Sequence, residues 1–160
     1  MRILTRIAHL AVIVAAFAGI AFSAGCGRAK PLTPEKSFEL LKTAYQKKDV
    51  DTIVALYSKK TIASYGEAVR LINGMNAAQR KKLRDAKLIP AEGTITIRDF
   101  IRINLDYAAQ NGGDPVIDGF NQMITSVSVN GRNAVIRTDN GIELHFVQEG
   151  LYWKFSPEEK

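Results

Sequence analysis

At Met123 the hydrophobic repeat of this chain changes period, and that change decides what the chain can fold into. Upstream, apolar residues recur every three and four positions, as on one face of a helix; downstream they alternate. Met123, Val127 and Val129 share one face, with Thr125 between them, ahead of Asn130-Gly131. Ala134 and Ile136 follow before Asn140-Gly141. Then come Ile142, Leu144 and Phe146, Gly150, and finally Leu151, Trp153 and Phe155. Each Asn-Gly pair suits a tight hairpin whose two central residues take positive φ. Successive short strands joined this way predict an antiparallel meander with one apolar and one polar face. A helical half followed by a meander predicts the α+β class, with N-terminal helices packed on the C-terminal sheet.

The helical half carries its own punctuation. Thr33-Pro34-Glu35 opens a helix, with Thr33 as N-cap and proline at the first helical position. Phe38, Leu41, Ala44 and Tyr45 line its inner face. Asp49 restarts a short helix with Val50, Ile53, Val54 and Tyr57 as core candidates. Glu67 to Asn73 reads as a further helical segment. Asn76 with Gln79, and Thr96 with Asp99, form two capping boxes. The first opens a helix running to about Leu88, where Leu83 and Ala86 would face the core. The second opens one from Ile97 to about Gln110, with Ile97, Phe100, Ile101, Leu105 and Ala108 inward; Asn111-Gly112-Gly113 stops it.

A helix ending in Lys47-Lys48-Asp49, followed at once by one carrying Leu56-Tyr57-Ser58, is similar to nuclear-transport-factor-2-like domains. The closing Gly150-Leu151-Tyr152-Trp153-Lys154-Phe155 resembles the last strand of small secreted domains in the same group. The resemblance implies a cone: a long and a shorter helix against a curved antiparallel sheet. In enzymes of that group an acid or a histidine in the cone does proton transfer. Pairing of two sheets is common there, so a homodimer is allowed but not required.

The chain's start has the three parts of a secretory signal. Arg2 and Arg6 give a positive beginning, Leu10 to Phe22 is unbrokenly apolar or small, and Ser23-Ala24-Gly25 precede Cys26. About 13 apolar residues are too few to cross a bilayer, which needs roughly 20. This end resembles the lipobox of bacterial lipoproteins, leucine-small-small-cysteine, with Ser23 in the leucine's place. The resemblance implies cleavage before Cys26 and attachment of lipid to its thiol. An ordinary cleaved signal and an uncleaved anchor are the plainer alternatives. Gly27, where an aspartate resembles an inner-membrane retention signal, implies the outer membrane, facing the periplasm, in a two-membrane host. The expected organisation is therefore signal 1–25, tether 26–32, and one α+β domain over 33–160.

Cys26 is the only cysteine, so a disulfide and a cysteine-held metal are both excluded. Setting aside the two signal arginines leaves a formal charge of +4, too small an excess to point to nucleic acid. No cofactor loop, metal motif or Ser–His–Asp order occurs.

Candidate contact residues remain, each with a plainer reading beside it. His145 alternates with Leu144 and Phe146, so it lies on the polar sheet face with Glu143; the pair suits proton transfer. A solvated strand histidine is the plainer reading. Arg80, Arg84 and Lys87 form a helical stripe, either a solvated face or a contact with anionic lipid or an acidic partner. Tyr45, Tyr57, Tyr65, Tyr107 and Trp153 suit a pocket wall or the core rim. Asp106 and Tyr107 resemble an acid–tyrosine pair, but adjacent helix positions diverge by about 100°. Without converging titratable groups, the sequence points to a lipid-anchored envelope protein that binds a small ligand or a protein. The alternative is a small hydrolase, dehydratase or isomerase using His145 or a carboxylate in the cone.

Overall fold

The computed structural model describes residues 32–157, so Cys26 and the signal expected before it lie outside the described residues. Among the described residues six helices and four strands are formed: α1 (Pro34–Lys47), α2 (Val50–Leu56), α3 (Lys59–Asn73), α4 (Ala77–Asp85), α5 (Ile97–Gln110), α6 (Pro115–Asn121), β1 (Ile124–Asn130), β2 (Asn133–Thr138), β3 (Glu143–Glu149) and β4 (Tyr152–Phe155). The strands pair in sequence order as one antiparallel sheet, and α1, α2 and α6 pack on it. The class is α+β, as the change of period predicts. Among the described residues no helix is long and apolar enough to cross a membrane.

Local chemistry sets the helix ends. The Thr33 hydroxyl accepts from the Lys36 amide, and Pro34 takes the first helical position. Both expected capping boxes form, Asn76 with Gln79 and Thr96 with Asp99. Two elements escaped the periodicity. α3 begins at Lys59 rather than near Glu67, because Ser58 caps it by accepting from the Thr61 amide. α6 is a seven-residue helix capped by Asp114, with Pro115 at its start. The first box's helix is shorter than expected: it ends at Asp85, and Lys87 turns left-handed at φ 57°. Ala86 is exposed and Leu83 only half-buried, so neither is the core residue expected.

The hairpins differ from expectation in which residue bends. Asn130 still pairs with Asn133, so the first turn is Gly131-Arg132 and only the glycine takes positive φ, 58°. A two-residue loop with glycine first matches the twist of its strands. The second loop is Asp139-Asn140-Gly141, with Gly141 left-handed at φ 83°. It is closed by Thr138 donating to Ile142 and Gly141 to Thr138.

Strand β1 also departs from simple alternation. Its register shifts between Ile124 and Ser126, so Thr125 is an extra residue. The shift turns Ile124 towards the core opposite Thr138 and leaves Met123 71% exposed. Met123 is therefore not the core residue that alternation implies, and Val129 is also exposed.

The core lies between the inner sheet face (Ala134, Ile136, Leu144, Phe146, Phe155) and α1, α2, α5 and α6. At its centre Phe120 is fully buried, its ring 5.2 Å from Phe38 and 5.0 Å from both Tyr45 and Phe155. Such ring contacts add to the transfer free energy of burial. Gly119 lets α6 come this close, because a Cβ there would stand 2.9 Å from Ile142 Cγ2.

Candidate functional site

Three tyrosines from three consecutive segments meet at one cavity. α1 delivers Tyr45 near its end, the residue after α2 is Tyr57, and α3 brings Tyr65. Tyr57 is fixed by a parallel bridge to Phe155, and the next amide, Ser58, donates to the Phe155 carbonyl at 2.8 Å. The Tyr45 and Tyr57 hydroxyls share a hydrogen bond of 2.6 Å, one donating to the other. The Tyr65 ring meets Tyr57 edge-on, with centroids 5.7 Å apart.

These phenols wall a cavity of about 110 Å³, completed by Ile101, Leu105, Val116 and Ile117 and by the polar Asn104 and Asp114. Asp114 is also the cap of α6, its Oδ1 accepting from the Val116 amide at 2.8 Å. A second opening between α5 and α6 shares Tyr45, Leu105, Asp114 and Ile117 with the cavity. The site is thus a hollow of mixed polar and apolar lining, with hydroxyls at its floor and a carboxylate at its wall.

Burial pushes the Tyr45 and Tyr57 phenols well above the ordinary tyrosine range, because the phenolate would lose its water. Both therefore serve as neutral hydrogen-bonding groups. The sign of the pH dependence follows. The folded pKa values exceed the unfolded value near 10, so the folded state holds more protons above that pH. Stability is fully present below about pH 10 and falls as pH rises beyond it. Tyrosinate absorbance from Tyr45 and Tyr57 should therefore grow only together with loss of far-ultraviolet dichroism. Tyr45→Phe and Tyr57→Phe should each remove part of that coupled rise.

The other sequence candidates scatter. His145 lies half-buried on the outer sheet face opposite Val135, in an open hollow with Ser128, Asn130 and Asn133. Glu143 does not hold its imidazole: the carboxylate is taken by the Arg137 guanidinium, which keeps it below the usual glutamate range. Trp153 is buried in the core and is not part of the cavity wall.

The basic stripe dissolves. Arg80 and Arg84 are half-buried and donate to the Gly93 and Ala91 carbonyls, the latter at 3.0 Å, stapling the loop between α4 and α5. Lys87 is beyond the helix end and shares no stripe with them. Asp106 pairs with Lys48 at 2.5 Å, while Tyr107 faces solvent. Cys26 lies outside the described residues.

Of the contact residues expected from the sequence, Tyr45 and Tyr57 are brought together. Sequence reasoning missed Asp114 and the α6 wall. The Asp-Pro pair at 114–115 was the available signal, since it joins a good cap to a good first helical residue. Among the described residues no group of three or more His, Cys, Asp or Glu converges to hold a metal. No protein-family model matches the chain, and neither a curated protein nor a solved structure is significantly similar to it.

Proposed function

We propose that the chain is a lipid-anchored envelope protein with a nuclear-transport-factor-2-like cone, working as a binding module rather than a catalyst. The observation that carries this reading is the tyrosine-walled cavity. Its floor is two mutually bonded neutral phenols, and the only histidine of the described residues stands on the other sheet face. Ligand pockets are typically apolar hollows with a few placed polar groups, but of about 300–1,000 Å³. An apolar cavity of about 150 Å³ holds benzene. At about 110 Å³ this hollow is smaller than either, so it takes one branched side chain or part of one ring, the end of a larger molecule or an anchor residue of a partner protein.

p-Cresol is the direct probe, combining a ring with one hydroxyl. Titrated into the chain, it should shift the methyl resonances of Ile101 and Ile117 saturably. Ile117→Trp, which fills the half-buried wall, should abolish the shift. Absence of any saturable shift at millimolar p-cresol would count against the cavity as a binding site. Asp114 supports a second reading, because a carboxylate beside hydroxyls and an apolar wall is the arrangement a proton-transfer enzyme uses. Asp114→Asn separates the two, since asparagine caps a helix as well as aspartate does. A turnover found for any cresol-like substrate and lost in Asp114→Asn, with binding retained, would move the assignment to catalysis.

The anchor has its own prediction. Cys26→Ala should lose all labelling by a fatty-acid analogue and leave the precursor uncut. Normal labelling of that variant would refute lipid attachment at Cys26.

A further inference from the structure

The end of the sheet from which the tether departs differs from the rest of the surface. In an antiparallel meander the first and third turns lie at the same end. Here these are Gly131-Arg132 and Gly150-Leu151, and the Arg132 guanidinium donates to the Gln148 carbonyl at 2.7 Å beside the third turn. Leu32, the first described residue, donates its amide to the Leu151 carbonyl at 3.1 Å. Leu151 is 49% exposed, Tyr152 43% and Val129 55%, all at this end. Among the described residues the other large exposed apolar side chains, Leu71, Leu88, Tyr107 and Met123, are scattered singly over helices, the α4–α5 loop and the opposite end, which is ordinary.

Charge favours the same end. Lys36 in the first turn of α1 and Arg132 are exposed there, and the tether sequence adds Arg28 and Lys30. Of the acids nearby, Glu149 accepts from the Lys59 amide and Glu35 is exposed. The half-buried Lys154 ammonium lies 5.1 Å from the Tyr152 ring centre but donates to the Ala55 carbonyl, so it belongs to the protein's own contacts. Basic residues beside exposed aliphatic and tyrosine side chains are the composition of a lipid-interface contact.

Length completes the argument. Six peptide steps separate Cys26 from Leu32, so the lipidated residue is at most about 20 Å from this end of the sheet. We propose that the sheet end carrying Leu151 and Tyr152 rests against the anionic lipid surface to which the chain is tethered. The inference rests on the lipid-anchor reading. Its consequence is an orientation. Tyr45 is eleven residues on from Pro34, about 16 Å along α1 from the tether end, so the cavity stands off from the lipid by about that distance.

The test uses the full processed chain in vesicles of phosphatidylethanolamine and phosphatidylglycerol. Leu151→Cys and Asp139→Cys place one dye at the tether end and one at the opposite turn; both positions are exposed. Iodide quenching should be about threefold weaker at 151 than at 139, and a headgroup nitroxide should quench only the dye at 151. Omitting phosphatidylglycerol should reduce that contrast. Equal quenching at both positions in vesicle-bound protein overturns the proposal while leaving the anchor intact. Protection at 151 that follows protein density instead of lipid composition assigns this end to a second copy and also overturns it. If the Cys26 thiol of the unsubstituted chain reacts with a maleimide and the chain fails to float with vesicles, the anchor reading falls and takes this inference with it.

Discussion

Phe120→Ala should unfold at a much lower urea concentration than the parent chain, with a loss of about 3–5 kcal/mol. Phe120 has no exposed surface, and its ring meets those of Phe38, Tyr45, Phe146 and Phe155. Truncation removes the transfer free energy of the ring and its edge contacts, and leaves a void between helix and sheet. Against a total stability of about 5–15 kcal/mol, that loss brings the domain close to its threshold. The effect should also reach the cavity. α6 has seven residues, too few to hold together without packing. Phe120 is its main attachment, so Val116, Ile117 and the Asp114 cap should lose their places and p-cresol its site. An unchanged urea midpoint would show that α6 is not part of the cooperative core. Tyr107→Ala, at a 55% exposed position of α5, is the control and should change stability by less than about 0.5 kcal/mol.

The same residues show why part of this architecture was legible in the chain. Phe38, Leu41, Ala44 and Tyr45 repeat with the helical period and are all buried, because α1 is covered on one side by α2, α6 and β4. The two capping boxes are local events and form as written. What was hidden depends on tertiary contact or on short elements. Phe120 has no periodic partner to announce it, since α6 is two turns long. Thr125 reads as an ordinary alternating residue until pairing with β2 makes it the extra one. Arg80 and Arg84 look like a solvated stripe because nothing in their own helix shows that the 91–93 carbonyls fold back onto them. The cavity was half legible: Tyr45 and Tyr57 are visible as amphipathic rings, but their 2.6 Å contact is set by the bridge to Phe155, almost a hundred residues downstream.

That long-range junction is also where the second large effect should fall. Ser58 is fully buried and does three things at once. Its amide donates to the Phe155 carbonyl, its hydroxyl caps α3 by accepting from the Thr61 amide, and the same hydroxyl bonds Thr61 Oγ1 at 2.9 Å and Ser156 Oγ at 3.1 Å. Ser58→Ala keeps the first and removes the rest. A lost cap costs about 1 kcal/mol. Leaving the buried Thr61 and Ser156 hydroxyls short of a partner costs about 1–3 kcal/mol more. A total near 2–4 kcal/mol follows, less than for Phe120→Ala and far above a surface change. The loss should concentrate in α3, whose amides from Thr61 onward should exchange faster than those of α1. Because α3 carries Tyr65, the cavity should also bind p-cresol more weakly, whereas Ser58→Thr, which keeps the hydroxyl, should preserve more of both. Uniformly faster exchange across α1 and α3 would instead mean that the junction stabilises the whole fold and gives α3 no special dependence on its cap.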